Sequence, residues 1–220
     1  MKRRTLDFVF AGGGVLIALL LIALYLVLHN QAEFANDYVH DQLSEQRVTF
    51  TAAEKLKEEE KDWKPGSSCL VKNGGKPLTT GKQAECYANF YIALHLEQSA
   101  AGAGYPGETY GSIGAVQTEL RTQLAAAKAA NDGTAADLQT KLDAVTALRN
   151  SQFTGETLRG LLLTSYGFSV FGDRIALAAD VCLLAAIVLL LLSVAGFIHA
   201  LMTSKDERVL APGANEARPS

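Results

Sequence analysis

The 220-residue sequence lacks the residue patterns that identify the common hydrolytic enzymes. It contains no Gly-x-Ser-x-Gly nucleophile motif, no His-Glu-x-x-His zinc motif and only one tryptophan. A clustered basic face is missing too, because residues 29–174 hold 14 Lys and Arg against 18 Asp and Glu. These absences argue against a nucleic-acid partner, which requires concentrated positive charge, and against an enzyme. The sequence therefore predicts no catalytic site, no metal and no cofactor.

Cysteine is scarce, with three residues in the whole chain: Cys69, Cys86 and Cys182. Two cysteines 17 positions apart with no nearby histidine do not have the spacing of a zinc site. In an oxidising compartment Cys69 and Cys86 would pair, and closing that loop stabilises the fold by roughly 3 kcal/mol. The alternative is that both remain free thiols.

Charge is absent from two long apolar runs, 8–28 and 181–202. As a helix, the second would extend roughly 33 Å, which is enough to cross the hydrocarbon core of a bilayer. The first run could instead be a signal peptide, but its apolar core is longer than a signal requires and no good cleavage site follows. The pattern predicts an all-α membrane protein with two antiparallel transmembrane helices that enclose a mainly helical extracytoplasmic domain with one disulfide.

Basic residues near the two ends of the chain predict the orientation. Lys2, Arg3 and Arg4 precede the first run, and Lys205 and Arg208 follow the second. Because cytoplasmic flanks carry the excess of Lys and Arg, both termini are predicted to be cytoplasmic. The predicted segments are a cytoplasmic tail (1–7), a transmembrane helix (8–28), the extracytoplasmic domain (29–174), a second transmembrane helix (175–202) and a cytoplasmic tail (203–220).

Small residues in the two runs suggest how the spans pack. Gly14 and Ala18 form a small-xxx-small pair, and Gly196 and Ala200 have the same spacing. In antiparallel spans both pairs would lie near the cytoplasmic face, where they could allow close helix contact. The alternative is the general tolerance of membrane helices for small residues.

Apolar periodicity and turn residues predict the elements between the spans. The Thr51-x-x-Glu54 pattern resembles a capping box, and Asn73-Gly74-Gly75 is a turn signal. The predicted elements are a helix to about residue 46, a helix over 52–62, two short strands around 73–75, a helix over 83–101, a helical hairpin over 112–150, a helix over 153–171 and a joint at 172–174.

Four polar side chains are candidates for specific roles. His40 and His95 could form a metal or acid–base pair if their helices packed together, but hydrogen-bonded structural histidines are the more common case. His29 and Asp180 follow and precede the apolar runs at the same predicted interface, so they are expected to pair there. Hydration of both at the headgroups is the alternative. The acidic run 58–60 predicts a solvated helix face.

Three segments carry a resemblance to a known family: VHDQL (39–43), YANFYIALHL (87–96) and GETLRGLLLTSYG (155–167). The chain resembles uncharacterised two-span membrane proteins of high-GC Gram-positive bacteria, some of which are labelled aromatic ring-opening dioxygenases. No clustered two-His-one-carboxylate iron pattern accompanies that label here. The resemblance implies a family and no activity.

These observations predict a non-enzymatic integral membrane protein. Its expected role is that of an accessory or scaffold subunit whose extracytoplasmic domain contacts another membrane or envelope protein. The expected partners are the lipid bilayer and a membrane-protein complex or homo-oligomer. The alternatives are an oligomeric channel or transport component and, less well supported, a metal-dependent extracytoplasmic enzyme.

Overall fold

The computed structural model describes residues 2–204, most of which are helical, with turns and short extended segments between the helices. In chain order the elements are α1 (Arg3–Glu45), a 3₁₀ turn (Ala53–Lys55), α2 (Glu58–Asp62), α3 (Ser68–Asn73), α4 (Gly81–Cys86), a π-helix (Tyr87–Ile92), α5 (Ala93–Gly102), α6 (Ile113–Ala129) and α7 (Ala135–Met202). Within the described range there is no strand, and the β-structure between helices is an isolated antiparallel bridge between Thr49 and Pro77.

The chain divides into two compact units. Unit 1 comprises Met1–Phe34 and Phe171–Ser220, and unit 2 comprises Ala35–Val170. Lys205 and Arg208, on which the predicted orientation partly depends, lie outside the described residues.

Unit 1 contains the apolar segments of α1 and α7. Both helices are long and apolar enough to cross a membrane. Their large side chains are mostly exposed, as in Leu20 (71%) and Leu191 (67%). Such a continuous apolar surface is unfavourable in water and favourable in lipid, which weakly supports a membrane protein.

Small residues line the contact between these two segments. The buried residues of α7 include Ala179, Ala186, Ser193 and Ala200, each seven positions after the last. A Cβ added to Gly14 would collide with the Ser193 hydroxyl, and one added to Gly196 would lie 3.3 Å from the Ala11 Cβ.

Each of the four residues in the predicted small-residue pairs therefore either lies close to the opposite helix or is fully buried. Gly14 and Gly196 each approach the opposite helix, and Ala18 and Ala200 have no exposed surface. The Gly14 neighbour is Ser193 rather than a member of the other predicted pair. Backbones that approach this closely gain packing contacts that larger side chains would prevent.

Unit 2 has two apolar clusters. The first gathers side chains from α1, α3, α4 and the segments between them, namely Val39, Leu43, Phe50, Leu56, Leu70, Leu78, Ala84 and Cys86. The second joins α6 to the start of α7 through Ile113, Leu120, Val145 and Leu148. The predicted hairpin over 112–150 is therefore present, with the turn at Asn131, whose φ is +52°.

The structure corrects three of the predicted elements before α6. The 52–62 helix is split, because Leu56 is extended and buries its side chain in the first cluster. The box predicted at Thr51 is absent, and Thr80 caps α4 instead, by accepting from the Gln83 N–H. The two strands predicted around residues 73–75 are replaced by α3, which ends at Asn73.

The structure also corrects the predicted break before the second span. No helix begins at 153 and no joint interrupts 172–174, because α7 is continuous from Ala135 to Met202. The isolated glycines in this stretch each cost about 1 kcal/mol of helix stability, which is less than a proline would cost. Without proline, no residue removes a backbone donor from the helix.

The neighbouring glycines of α1 provide a matched test of span packing. Gly14→Ala should destabilise unit 1 by about 1–3 kcal/mol because the new Cβ meets Ser193. Gly13→Ala should be neutral or stabilise by up to about 1 kcal/mol, because nothing lies within 4 Å of its added Cβ. Equilibrium unfolding by SDS titration in mixed micelles measures both, and equal effects would contradict the observed contact.

Candidate functional site

An uncharged stripe of exposed residues runs along α7 within unit 2. It consists of Phe153, Thr157, Gly160, Thr164 and Gly167, all exposed, and we call it the α7 seam. Its members alternate by four and three positions, the spacing at which side chains of one helix face a partner helix. Leu161, 62% exposed, and Phe168, 41% exposed, flank the seam.

The two threonines of the α7 seam present methyl groups rather than free hydroxyls. Thr157 Oγ1 donates to the Phe153 carbonyl at 2.7 Å, and Thr164 Oγ1 donates to the Gly160 carbonyl at 2.8 Å. Because both donors are satisfied within the helix, the hydroxyls have little need of water. The surface is therefore more apolar than its residue types indicate.

The same segment carries one charged pair, Glu156 and Arg159, and the Glu156 side chain at the edge of the seam is 41% exposed. Arg159 is half-buried, pairs with Glu156 at 2.8 Å and donates from Nε to the Ala88 carbonyl at 3.1 Å. The Ala88 carbonyl belongs to the π-helix, a distortion that alters the normal ladder of backbone hydrogen bonds. That carbonyl also accepts from the Ala93 N–H, so Arg159 is its second donor and ties this face of α7 to the π-helix.

Further contacts hold the buried face of α7. Gln152 Nε2 donates to the Leu96 carbonyl at 2.9 Å, and Gly155 lies so close to the Leu96 side chain that a Cβ would collide with it. Lys82 Nζ donates to the Tyr166 hydroxyl at 3.1 Å, and this bond raises the pKa of Lys82 ahead of a smaller effect of Glu85. With its inner face fixed in this way, α7 keeps the seam on the surface of unit 2.

Cys69 and Cys86 lie at disulfide-bonding distance, with Cα atoms 6.1 Å apart. The bond joins α3 to the last residue of α4, next to the π-helix. Cys86 is buried and Cys69 is partly exposed. Cys182 belongs to unit 1 and is free, as predicted.

The histidines are held by local partners. His40 is exposed and lies 3.4 Å from Asp41. His95 faces two acceptors, the Tyr91 carbonyl at 2.8 Å from Nδ1 and the Glu60 carboxylate at 3.4 Å from Nε2. Over residues 2–204 no group of three or more His, Cys, Asp or Glu side chains is arranged to hold a metal. His40 and His95 therefore contact different groups, Asp41 in one case and Tyr91 and Glu60 in the other.

The prediction of a solvated helix face over residues 58–60 is wrong for Glu60. It is 5% exposed, accepts from the Lys57 backbone N–H at 2.6 Å and faces His95. A carboxylate buried in this way is stabilised by its charge-assisted hydrogen bond. No sequence signal indicated it, because lysine is a poor helix cap and the Lys57-x-x-Glu60 spacing is not a recognised pattern.

Three neighbouring rings, those of Tyr87, Tyr91 and His95, lie along the π-helix and α5, and His95 faces Glu60. The ring centroids of Tyr87 and Tyr91 are 4.6 Å apart, and those of Tyr91 and His95 are 4.3 Å apart. Burial, with a smaller contribution from Tyr91, raises the pKa of Tyr87 to about 12. The phenol is therefore a neutral packing group.

In unit 1 the polar contacts differ from the predicted pair. His29 lies 3.4 Å from Glu33 and stacks on Tyr25, and no ion pair is seen for Asp180 among the described residues. The pairing of His29 with Asp180 stays a prediction. An unpredicted contact joins His199 Nδ1 to Asp7 Oδ2 at 3.3 Å. No sequence pattern predicted this contact, because the two residues are 192 positions apart.

No protein-family model matches the chain, and no curated protein or solved structure is significantly similar to it. The family resemblance carried by 39–43, 87–96 and 155–167 therefore stays an expectation.

The Cys69–Cys86 bond is tested by mass spectrometry of the non-reduced protein. A linked peptide pair is expected, with Cys182 alkylated before reduction. Replacing both bonded residues by serine should destabilise unit 2 by about 2–4 kcal/mol, because the unfolded chain regains loop freedom. Cys182→Ser serves as the control and should leave unit 2 unchanged. Ready alkylation of Cys69 and Cys86 without reductant would contradict the bond.

Proposed function

We propose that the protein is a non-enzymatic accessory or scaffold subunit of the membrane whose extracytoplasmic helical domain binds a protein partner. The observation that carries this proposal is the α7 seam. Exposed apolar residues beside it, Leu161 and Phe168, are unfavourable in water and favourable when another apolar surface covers them. Contact surfaces of this kind are depleted in charge and enriched in aromatic residues at their centre.

The proposed topology is a pair of antiparallel spans with both termini in the cytoplasm. Contacts between Asp7 and His199, Phe8 and Phe197, and Gly14 and Ser193 support it, because the numbers rise along α1 as they fall along α7. The basic residues at positions 2–4 support a cytoplasmic N-terminus. A Cys69–Cys86 disulfide supports an oxidising, extracytoplasmic location for unit 2.

A site-specific protease tests this topology in intact spheroplasts of an expression host. The exposed turn at Asp132 and Gly133 accepts an inserted cleavage sequence, since a Cβ added to Gly133 would meet nothing within 4 Å. External protease should cut this site and spare a matched site placed after Ser220. Cleavage after Ser220 with the membrane sealed would contradict the orientation.

An oligomeric channel is the main alternative function that the sequence analysis considered. A conducting pathway requires a polar face along a span. The large side chains that the spans expose are apolar, among them Phe10, Leu20, Leu191 and Leu192. The accessory role is therefore preferred. Membership of the two-span family of high-GC Gram-positive bacteria is part of the proposal and implies no reaction.

Co-purification from membranes solubilised in mild detergent tests the accessory role. The full-length chain is expected to migrate as a complex larger than one copy in its micelle, and Leu161→Glu together with Phe168→Glu should release the partner. Each charge would be buried unpaired against an apolar surface. Thr118→Glu with Thr122→Glu is the control, because both lie exposed on α6. A lone chain in every mild detergent would refute the accessory role.

A further inference from the structure

We propose that Cys69 is a site of thiol–disulfide exchange, at which an external thiolate opens the Cys69–Cys86 bond and loosens α3. The reactant is a small thiol or a dithiol protein of the compartment that holds unit 2. The inference goes beyond the accessory role and does not depend on it, because a chain without a protein partner can still undergo this exchange.

A cleft in unit 2 gives access to the disulfide. Its volume is about 450 Å³, and both cysteines line it, together with Gly66, Lys82 and Phe90. An attacking thiolate must reach a sulfur atom of the bond, so the rate of exchange depends on access. A disulfide enclosed in a core lacks such an approach, whereas the Cys69–Cys86 bond forms part of the wall of an open cleft.

The two bonded cysteines differ in exposure, which decides where the thiolate attacks. Cys86 is only 4% exposed, whereas Cys69 is partly exposed. Exchange takes place at the sulfur that the thiolate can reach, and the other sulfur departs. Cys69 is therefore the residue that is modified, and Cys86 is the leaving group.

The exchange needs no reactant other than the thiol. The thiolate sulfur forms a bond to Cys69 Sγ as the Cys69–Cys86 bond breaks, and the electron pair of that bond goes to Cys86 Sγ, which takes a proton from water. A dithiol continues with its second thiolate, which attacks the mixed disulfide and releases Cys69 as a thiolate. The dithiol is then oxidised by two electrons, and the cysteine pair is reduced by two.

Charges at the cleft do not select the charge of the thiol. Lys82 Nζ lies 3.3 Å from Glu85 Oε2, and both residues line the cleft. The Tyr166 hydroxyl, with a smaller effect of Glu85, raises the pKa of Lys82, so its ammonium group stays charged. One charge of each sign is thus present, and we expect neutral dithiothreitol and anionic glutathione both to react.

The bond is the covalent tie that holds α3 against α4. Within residues 2–204 the side-chain hydrogen bonding between these helices is one long contact, from Gln83 Nε2 to Asn73 Oδ1 at 3.4 Å. With six residues, α3 is too short to be a stable helix by itself. Leu70, 1% exposed, still anchors the segment in the first cluster. Opening the bond should therefore loosen α3 without unfolding unit 2.

Exchange on the folded full-length protein in mild detergent tests the inference. A Cys182→Ser background removes the remaining thiol. Incubation with reduced glutathione, then alkylation and mass spectrometry, should reveal a glutathione adduct on Cys69 and an alkylated Cys86. An adduct on Cys86 as often as on Cys69, or no exchange until denaturant is added, would overturn the inference.

Two single-cysteine variants in the same background measure the difference in access directly. Cys86→Ser leaves Cys69, and Cys69→Ser leaves Cys86, so both variants have lost the same bond. With dithionitrobenzoate, Cys69 should react at least about tenfold faster than Cys86 in the folded protein. The two rates should converge in urea. Equal rates without urea would contradict the assignment of Cys69.

Limited trypsin digestion tests the response of α3. Reduction by dithiothreitol should speed cleavage after Lys72, exposed on α3, by about tenfold or more, because local opening exposes the backbone. Lys128, exposed on α6, is the control, and its cleavage should not change. Faster cleavage at both sites would make the bond a general support of unit 2. That result, or unchanged cleavage after Lys72, would overturn the inference.

Discussion

Two side chains of α7, Gln152 and Arg159, determine which face of this helix is buried in unit 2. Each donates to a backbone carbonyl of the 81–102 helical region, Leu96 and Ala88 respectively. The Ala88 carbonyl also accepts from the Ala93 N–H, so Arg159 is the second donor to this oxygen. The two side chains together fix the rotation of α7 about its axis. The exposed seam is a consequence of that rotation.

The same region depends on close approach as well as on hydrogen bonds. Gly155 allows the Leu96 side chain to touch the α7 backbone, and Gly81 lies directly against Ser169 and Tyr166. The Cys69–Cys86 bond then ties α3 to the end of α4. Backbone contact, a covalent link and side-chain donors thus act on one short helical region, which gives unit 2 a fixed inner face without a large aromatic core.

Local patterns in the sequence predicted the features that depend on local chemistry. The narrow apolar stripes of α6 and early α7 predicted a hairpin, because each helix could bury its stripe only against the other. The long uncharged runs predicted two helices able to span a membrane. Cysteine spacing and predicted compartment indicated the pair Cys69 and Cys86. In each case the prediction depends either on residues that are close together in the sequence or on a residue type that occurs only a few times.

Features that depend on distant partners were not predictable. The Asn73-Gly74-Gly75 turn signal was real, but the flanking residues form α3 because Leu70 is needed in the first cluster. Glu60 is buried because His95, on another helix, faces it. Glycines suggested a break near Gly172, yet α7 continues, since isolated glycines weaken a helix without removing any of its hydrogen bonds.

Two groups of helical glycines in this chain differ in what lies beside them. In unit 1, Ser193 occupies the space beside Gly14, and Ala11 occupies the space beside Gly196, so each glycine has a close neighbour on the opposite helix. In unit 2, by contrast, a Cβ added to Gly160 or Gly167 would meet nothing within 4 Å. A helix interior tolerates glycine at a cost of about 1 kcal/mol each, and close contact with another helix offsets that cost. For Gly14 and Gly196 the contact is internal. Within residues 2–204 nothing lies beside the positions that a Cβ would take at Gly160 and Gly167, so no packing contact there offsets their cost.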